Sequence, residues 1–380
     1  MRTLLYPVLG AALVITVVSL FPAGTPRAQD ENEYVGSKGC GTCHPAVRKT
    51  WDVHGHSKML RPVQNGQAPK SAEVSLPEGK SWNDLSYLIG GAKIYAQFVD
   101  SKGFVVTGPK AQWSLEGKTL IPFKTDSAPG TLKYDCIKCH VVGWRESGVY
   151  ENGVQNSLEG IPGAWFENGV GCEACHGMGH QHAILKNIAD VKKAKGDLKI
   201  VVDKSLNACG KCHKRTDDNS LLVAAKDLVE NEQQYTEMKL NKKSKFKFTC
   251  VMCHDPHVTS SGESGLVKKC EDCHKGKFAK PVKITAMQGL ACIDCHMPFA
   301  VRGAYDSMVK DYHKGDSRSH IFGISADPAY TLDGGNGKAN LNADGFVRLT
   351  VEMVCYSCHK AGKSHDMSRE AMLEMAKKVH

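Results

Sequence analysis

A mainly α chain, with extensive loops and a small β insertion near residues 86–123, is what the sequence predicts. Three observations carry that expectation. The pentapeptide C-x-x-C-H occurs eight times, at Cys40–His44, Cys136–His140, Cys172–His176, Cys209–His213, Cys250–His254, Cys270–His274, Cys292–His296 and Cys355–His359. Several stretches beside these motifs carry apolar residues at three- and four-residue spacing, as a helix does. Residues 61–134, by contrast, hold no Cys or His and alternate like short strands.

The repeated pentapeptide defines the chemistry. Two thiols three positions apart can each add to a haem vinyl group, and the adjacent histidine is delivered to the iron. A zinc ribbon or a thiol redox pair needs no histidine after every second cysteine. A disulfide scaffold would not put every cysteine in the same pentapeptide. The eight copies consume all sixteen cysteines. Eight covalently bound c-type haems are therefore expected. Their thioether positions are Cys40, Cys43, Cys136, Cys139, Cys172, Cys175, Cys209, Cys212, Cys250, Cys253, Cys270, Cys273, Cys292, Cys295, Cys355 and Cys358. The proximal ligands are His44, His140, His176, His213, His254, His274, His296 and His359. At about 44 residues per haem, the macrocycles themselves are expected to form much of the apolar interior.

Residues 1–28 read as an export signal, with Arg2 ahead of an apolar run from Leu4 to Phe21. That run is near the shortest length that spans a bilayer, so an uncleaved anchor or tether through residues 4–21 is the alternative. Export to the periplasm is expected, with membrane-anchored and cell-surface forms as variants. The formal charge of +9 is weak support for nucleic-acid binding, and no nucleic-acid partner is expected. Haem propionates offset that charge, and many lysines are expected to pair with them.

Four divisions follow. After the signal, residues 29–216 form a four-haem half containing the β insertion. A connecting helix spans 217–245, and residues 246–380 form a second four-haem half. In the first half, Pro45 onward reads as a helix carrying Val47, Trp51 and His54 near one face. Tyr87–Gly91, Lys93–Asp100, Phe104–Gly108, Gln112–Leu115 and Thr119–Phe123 read as strands, with a reversal at Ser101-Lys102-Gly103. The insertion serves either as a cover over the haems or as a docking face. Ala183–Lys195 reads as a helix. Asp217 or Asp218 is expected to cap the connecting helix, with Leu221, Leu222, Ala225 and Leu228 on its apolar side. Asp327–Phe346 reads as a loop, and Ser364 or Asp366 as the cap of a terminal helix.

Three stretches carry a resemblance. CGTCH followed by WDVHGHSK (40–58), the IGG region at 89–91 and WFENGVGCEACHGMGHQH (165–182) resemble the cytochrome c-554 family of tetrahaem carriers. CGKCHKR (209–215) suits the family's fourth site, and the likeness covers residues 36–215. It implies a mainly helical fold, stacked haem pairs and electron transfer, with His56 and His182 as distal ligands. Residues 246–360 resemble multihaem nitrite-reductase-like cytochromes through CHDPH (253–257), CIDCHMP (292–298) and DSRSHIF (316–322). That likeness implies distal roles for His257 and His320. The chain lacks the C-x-x-C-K attachment site that commonly holds the catalytic haem there.

Seventeen histidines less the eight proximal ones leave nine. His54, His56, His180, His182, His257, His313, His320 and His365 are the candidate distal ligands, with His380 as the surplus. Because His257 follows His254 so closely, it is expected to face a different haem, and the sixth and seventh motifs lie nearest in sequence. Enough ligands for bis-histidine iron point to a carrier, with no residue assigned a catalytic role. The expected partners are redox protein donors and acceptors, including a membrane quinol-oxidising complex. One alternative is an octahaem oxidoreductase acting on hydroxylamine, nitrite or tetrathionate at one five-coordinate haem, with Tyr305 and Tyr312 near its pocket. Another is a subunit of a conducting cytochrome filament.

Overall fold

The computed structural model describes residues 33–148, 150, 153–154, 158–185, 187–194, 198–218, 221–241, 248–259, 265–276, 280–309, 312–359 and 365–380. The expected export segment, the basic run at 242–245 and Ser364 lie outside these residues.

The helices are short, and most of them are the attachment motifs. They run α1 Gly36–Cys43, α2 Pro45–Asp52, α3 Ile137–His140, α4 Cys172–His176, α5 His180–Ala183 and α6 Ile188–Lys193. α7 Leu206–Gly210, α8 Gln234–Leu240, α9 Cys270–Cys273, α10 Cys292–His296, α11 Val351–Cys355 and α12 Arg369–Ala376 complete the set. In five motifs the histidine N–H bonds the carbonyl of the first cysteine, as in His44 to Cys40 at 3.0 Å and His359 to Cys355 at 2.8 Å. One helical turn sets residues three apart on the same face, so both thiols point one way and the histidine follows.

The prediction of a mainly α chain holds only in part: 26% of the chain is helical and 21% is strand. A helix only one turn long gains little from cooperative hydrogen bonding, so the motifs do not extend into bundles. Five strands, β1 Leu60–Pro62, β2 Leu85–Gly90, β3 Tyr95–Asp100, β4 Gly108–Ser114 and β5 Thr119–Phe123, form an antiparallel sheet in sequence order. The expected strand at Phe104–Gly108 contributes only a bridge, Val99 to Val105, and the fourth strand starts at Gly108. The reversal falls where Ser101-Lys102-Gly103 places it. Gly103 takes a positive φ of 92°, and a Cβ there would meet the Leu158 Cβ at 2.7 Å.

A two-stranded pair, β6 Val141–Val142 and β7 Glu167–Asn168, flanks the second motif. The expected connecting helix over 217–245 is absent among the described residues. That segment supplies β8 Ala224–Ala225, β9 Leu228–Glu230 and the short α8. Its apolar residues serve a sheet, because β9 pairs with β10 Val301–Val309, which in turn pairs with β11 Tyr312–Ser317. Of the expected Ala183–Lys195 helix, Ile188–Lys193 forms α6, while Ala183 ends α5. The terminal helix is capped by Ser368, whose side chain accepts the Ala371 N–H, rather than by Ser364 or Asp366.

Two cores position the motifs. Leu60, Tyr87, Ile89 and Val99 of the first sheet pack with Tyr134, Ile137, Val141 and Trp165. The β insertion is thus bedded on the second attachment motif. The other core gathers Leu222, Val229, Val301, Tyr312, Ile321, Leu349, Val354 and Met372 around the eighth motif.

Candidate haem-attachment sites

None of the sixteen cysteines is paired in a disulfide. Thiols from different motifs lie side by side: Cys40 with Cys172, Cys139 with Cys212, Cys209 with Cys250, and Cys270 with Cys292. Further pairs are close enough to interact electrostatically. These are Cys175 with Cys209, Cys253 with Cys270 and Cys273, and Cys295 with Cys355 and Cys358. The motifs therefore adjoin in the order first, third, fourth, fifth, sixth, seventh, eighth. The second sits beside the fourth.

Histidine rings pair across these sites. The ring centres of His44 and His182 are 6.2 Å apart, those of His56 and His213 6.2 Å, and those of His176 and His257 6.0 Å. His254 and His320 stand at 6.3 Å, and His296 and His380 at 5.7 Å. Two metal–imidazole bonds of about 2.0–2.1 Å on opposite sides of one ion put the ring centres about 6 Å apart. Each pair joins a motif histidine to one from another segment. The Nε2 atoms of His296 and His380 face each other at 3.5 Å. This donor set fits an iron between two imidazoles.

Hydrogen bonds orient the rings. Nδ1 of His176 meets the Val201 carbonyl at 2.7 Å, that of His296 the Phe322 carbonyl at 2.7 Å, and that of His359 the His365 carbonyl at 2.5 Å. A proton donated from Nδ1 leaves Nε2 free for a metal. Burial pushes the His56 imidazole down to about 3, helped by His54, His213 and His140. Burial likewise takes His140 and His320 to about 4. Neutral rings are the form that binds metal. The Nδ1 atoms of His182 and His320 are buried without a hydrogen-bond partner.

Glu173, inside the third motif, accepts N–H groups from Val35 at 3.0 Å, Gly36 at 2.8 Å and Gly179 at 2.6 Å. Bonds to a charged acceptor contribute about 1.5–3 kcal/mol each. One buried carboxylate thus ties the first-motif helix to the segment that delivers His182. The sequence reading missed it, although its place between the two cysteines was the available signal.

Of the candidate distal ligands, His56, His182, His257 and His320 face motif histidines. His380, expected as surplus, is corrected: it faces His296. His257 faces the third motif's His176, not the sixth or seventh motif favoured by sequence distance. His54 does not face a motif histidine; it lies against His56, ring centres 4.6 Å apart. His180 lines a small cleft with Glu33, Met178, Gln181 and Lys199. His313 bonds Asp306 through Nδ1. His365 offers its backbone carbonyl to His359. Tyr312 packs in the C-terminal core, and the side chain of Tyr305 lies outside the described residues.

The second motif differs from the paired sites. His140 is half-buried, and its Nδ1 meets the Tyr134 hydroxyl at 2.5 Å. Among the described residues, no second imidazole stands opposite it at the spacing of the pairs.

Residues 123–177 match the family model described as cytochrome c554 and c-prime. Dissimilatory sulfite reductase MccA of Wolinella succinogenes is 23% identical over 415 aligned positions, covering 79% of this chain and 56% of that protein. The chain thus spans about half the length of that relative. Among solved structures, the outer cell wall cytochrome OcwA aligns with a TM-score of 0.54 at 19% identity, over 89% of this chain and 86% of that one. The W. succinogenes octahaem sulfite reductase MccA aligns at 0.49 with 17% identity, over 91% and 71%. With its repeated C-x-x-C-H motifs and this fold, the chain is a multihaem c-type cytochrome.

Proposed function

We propose that this cytochrome carries electrons outside the cytoplasm through eight covalently attached haems, most of them held between two histidines. The observation that carries the reading is the set of five imidazole pairs spaced for trans axial ligation. Haem bound at these sites supplies a one-electron iron couple whose potential depends on axial ligand, burial and hydrogen bonding. The chain's contribution is to fix each ring, keep it neutral and set successive attachment sites side by side. Redox proteins are the partners, a quinol-oxidising membrane complex among them. Residues 1–28 direct export, to the periplasm or the cell surface.

The test is a count of haem and of spin states in the purified protein. Eight haems per chain, at least five of them low-spin, are expected. Fewer than five low-spin haems overturns the axial pairing.

One observation favours a second reading. His140 is half-buried, with the Tyr134 hydroxyl on its Nδ1 and, among the described residues, no imidazole facing it. An iron held there would have a position for a small oxyanion, which makes an oxidoreductase the alternative. Hydroxylamine, nitrite and tetrathionate are the substrates to assay, together with sulfite, which the name of the Wolinella relative adds. Steady-state turnover near the common enzyme value of about 10 per second on any of them selects that reading over the carrier.

A further inference from the structure

His54 is the spare histidine whose surroundings are most fully determined, and they are not those of a ligand. Its Nδ1 accepts the His56 N–H at 3.0 Å, closing a turn two residues on. The same imidazole lies against the Val258 backbone, next to His257. Thr259 adds a bond from its hydroxyl to the Val53 carbonyl at 3.3 Å. The stretch 53–56 is thereby tied to 257–259, from the other half of the chain.

Both tied segments present an axial candidate. His56 faces His213 of the fourth motif with the ring planes 54° apart. His257 faces His176 of the third motif with the planes 1° apart, and its own Nδ1 lies 3.2 Å from Asp255 Oδ1. These two motifs adjoin through Cys175 and Cys209. With Nδ1 accepting the His56 N–H and the ring turned against the Val258 backbone, His54 is not placed as a ligand.

We propose that His54 is a positioning residue that locks two distal-ligand segments together and so sets the ring orientations at the third and fourth attachment sites. The inference rests on the reading of His56 and His257 as axial ligands. It assigns a positioning role to a histidine that counting alone offers as a distal ligand. It also explains why the two histidines of the W-D-V-H-G-H stretch differ: one faces a motif histidine, and the other holds the backbone that delivers it.

The test is electron paramagnetic resonance on the fully haem-loaded protein, where low-spin signals respond to the angle between axial imidazole planes. His54→Ala is expected to shift two low-spin signals and leave the spin count unchanged. His54→Asn keeps an acceptor for the N–H two residues on but is too short to reach Val258. It should shift a single signal, and it preserves the test if the alanine variant fails to mature. His56→Ala and His257→Ala should each convert one haem to high spin. If either stays wholly low-spin, the ligand reading falls and this inference with it. With both controls high-spin, an unchanged His54→Ala spectrum overturns the positioning role alone. A new high-spin haem in His54→Ala also overturns it, by making His54 a ligand.

Discussion

Around the second motif the polypeptide builds its own interior, whereas from 248 to 297 three motifs lie on chain with no buried residue among those described. In the first region Leu60, Phe98, Leu88, Ile137 and Trp165 are at most 1% exposed. In the second, Val267 and Leu290 are 54% and 43% exposed. Apolar side chains without protein partners need another apolar surface, and covalently held macrocycles provide one. The comparison leads to an expectation: haem would rest on a preformed bed in one region and would itself supply the core in the other.

Removing haem should break the comparison most visibly. With the cysteine pairs of the fifth, sixth and seventh motifs changed to serine, residues 248–297 are expected to become protease-sensitive throughout. The fragment covering 60–165 should stay resistant, as mass spectrometry of a timed digest reads. Equal resistance of both regions sinks the distinction.

A buried ring in the first region comes next in size. Trp165→Ala removes a fully buried side chain and should cost about 3–5 kcal/mol, measured by denaturant unfolding followed with far-ultraviolet circular dichroism. A loss under about 1 kcal/mol would mean that haem, rather than the sheet, organises this region too.

Smaller again is Tyr134→Phe. It deletes the hydroxyl on His140 Nδ1, a bond with a net worth of about 0.5–1.5 kcal/mol. A less basic ligand holds oxidised iron less well, so one haem potential should rise in a spectroelectrochemical titration while the others stay in place. No movement at any haem would show that the hydroxyl does not tune that site.

The smallest effect belongs to the exposed rim of the insertion. Lys110 bonds Glu78 at 2.9 Å with both side chains in solvent. Solvent-exposed pairs stabilise little, and Lys110→Ala should leave the denaturation midpoint unchanged within error. A clear drop would give the edge of the sheet a structural part that its packing does not indicate.

The attachment chemistry was legible in the sequence because it is local. Two thiols and a histidine within five residues meet the needs of one helical turn, wherever that turn lies. The strands at 85–90, 95–100 and 119–123 were legible for a similar reason, since alternation and turn residues act over short distances. The segment 217–240 was not, because the spacing of Leu221, Leu222, Ala225 and Leu228 suits a helix, whereas the chain there forms a short hairpin. What decided was the partner: Val229 pairs with Val301, and a lone sequence does not reveal that neighbour. Ring pairing was decided in the same way. His257 against His176 and His296 against His380 are distant in sequence, and their facing depends on the whole chain between. Counting histidines bounded how many irons could be held on both sides, while tertiary packing alone chose which ring faces which.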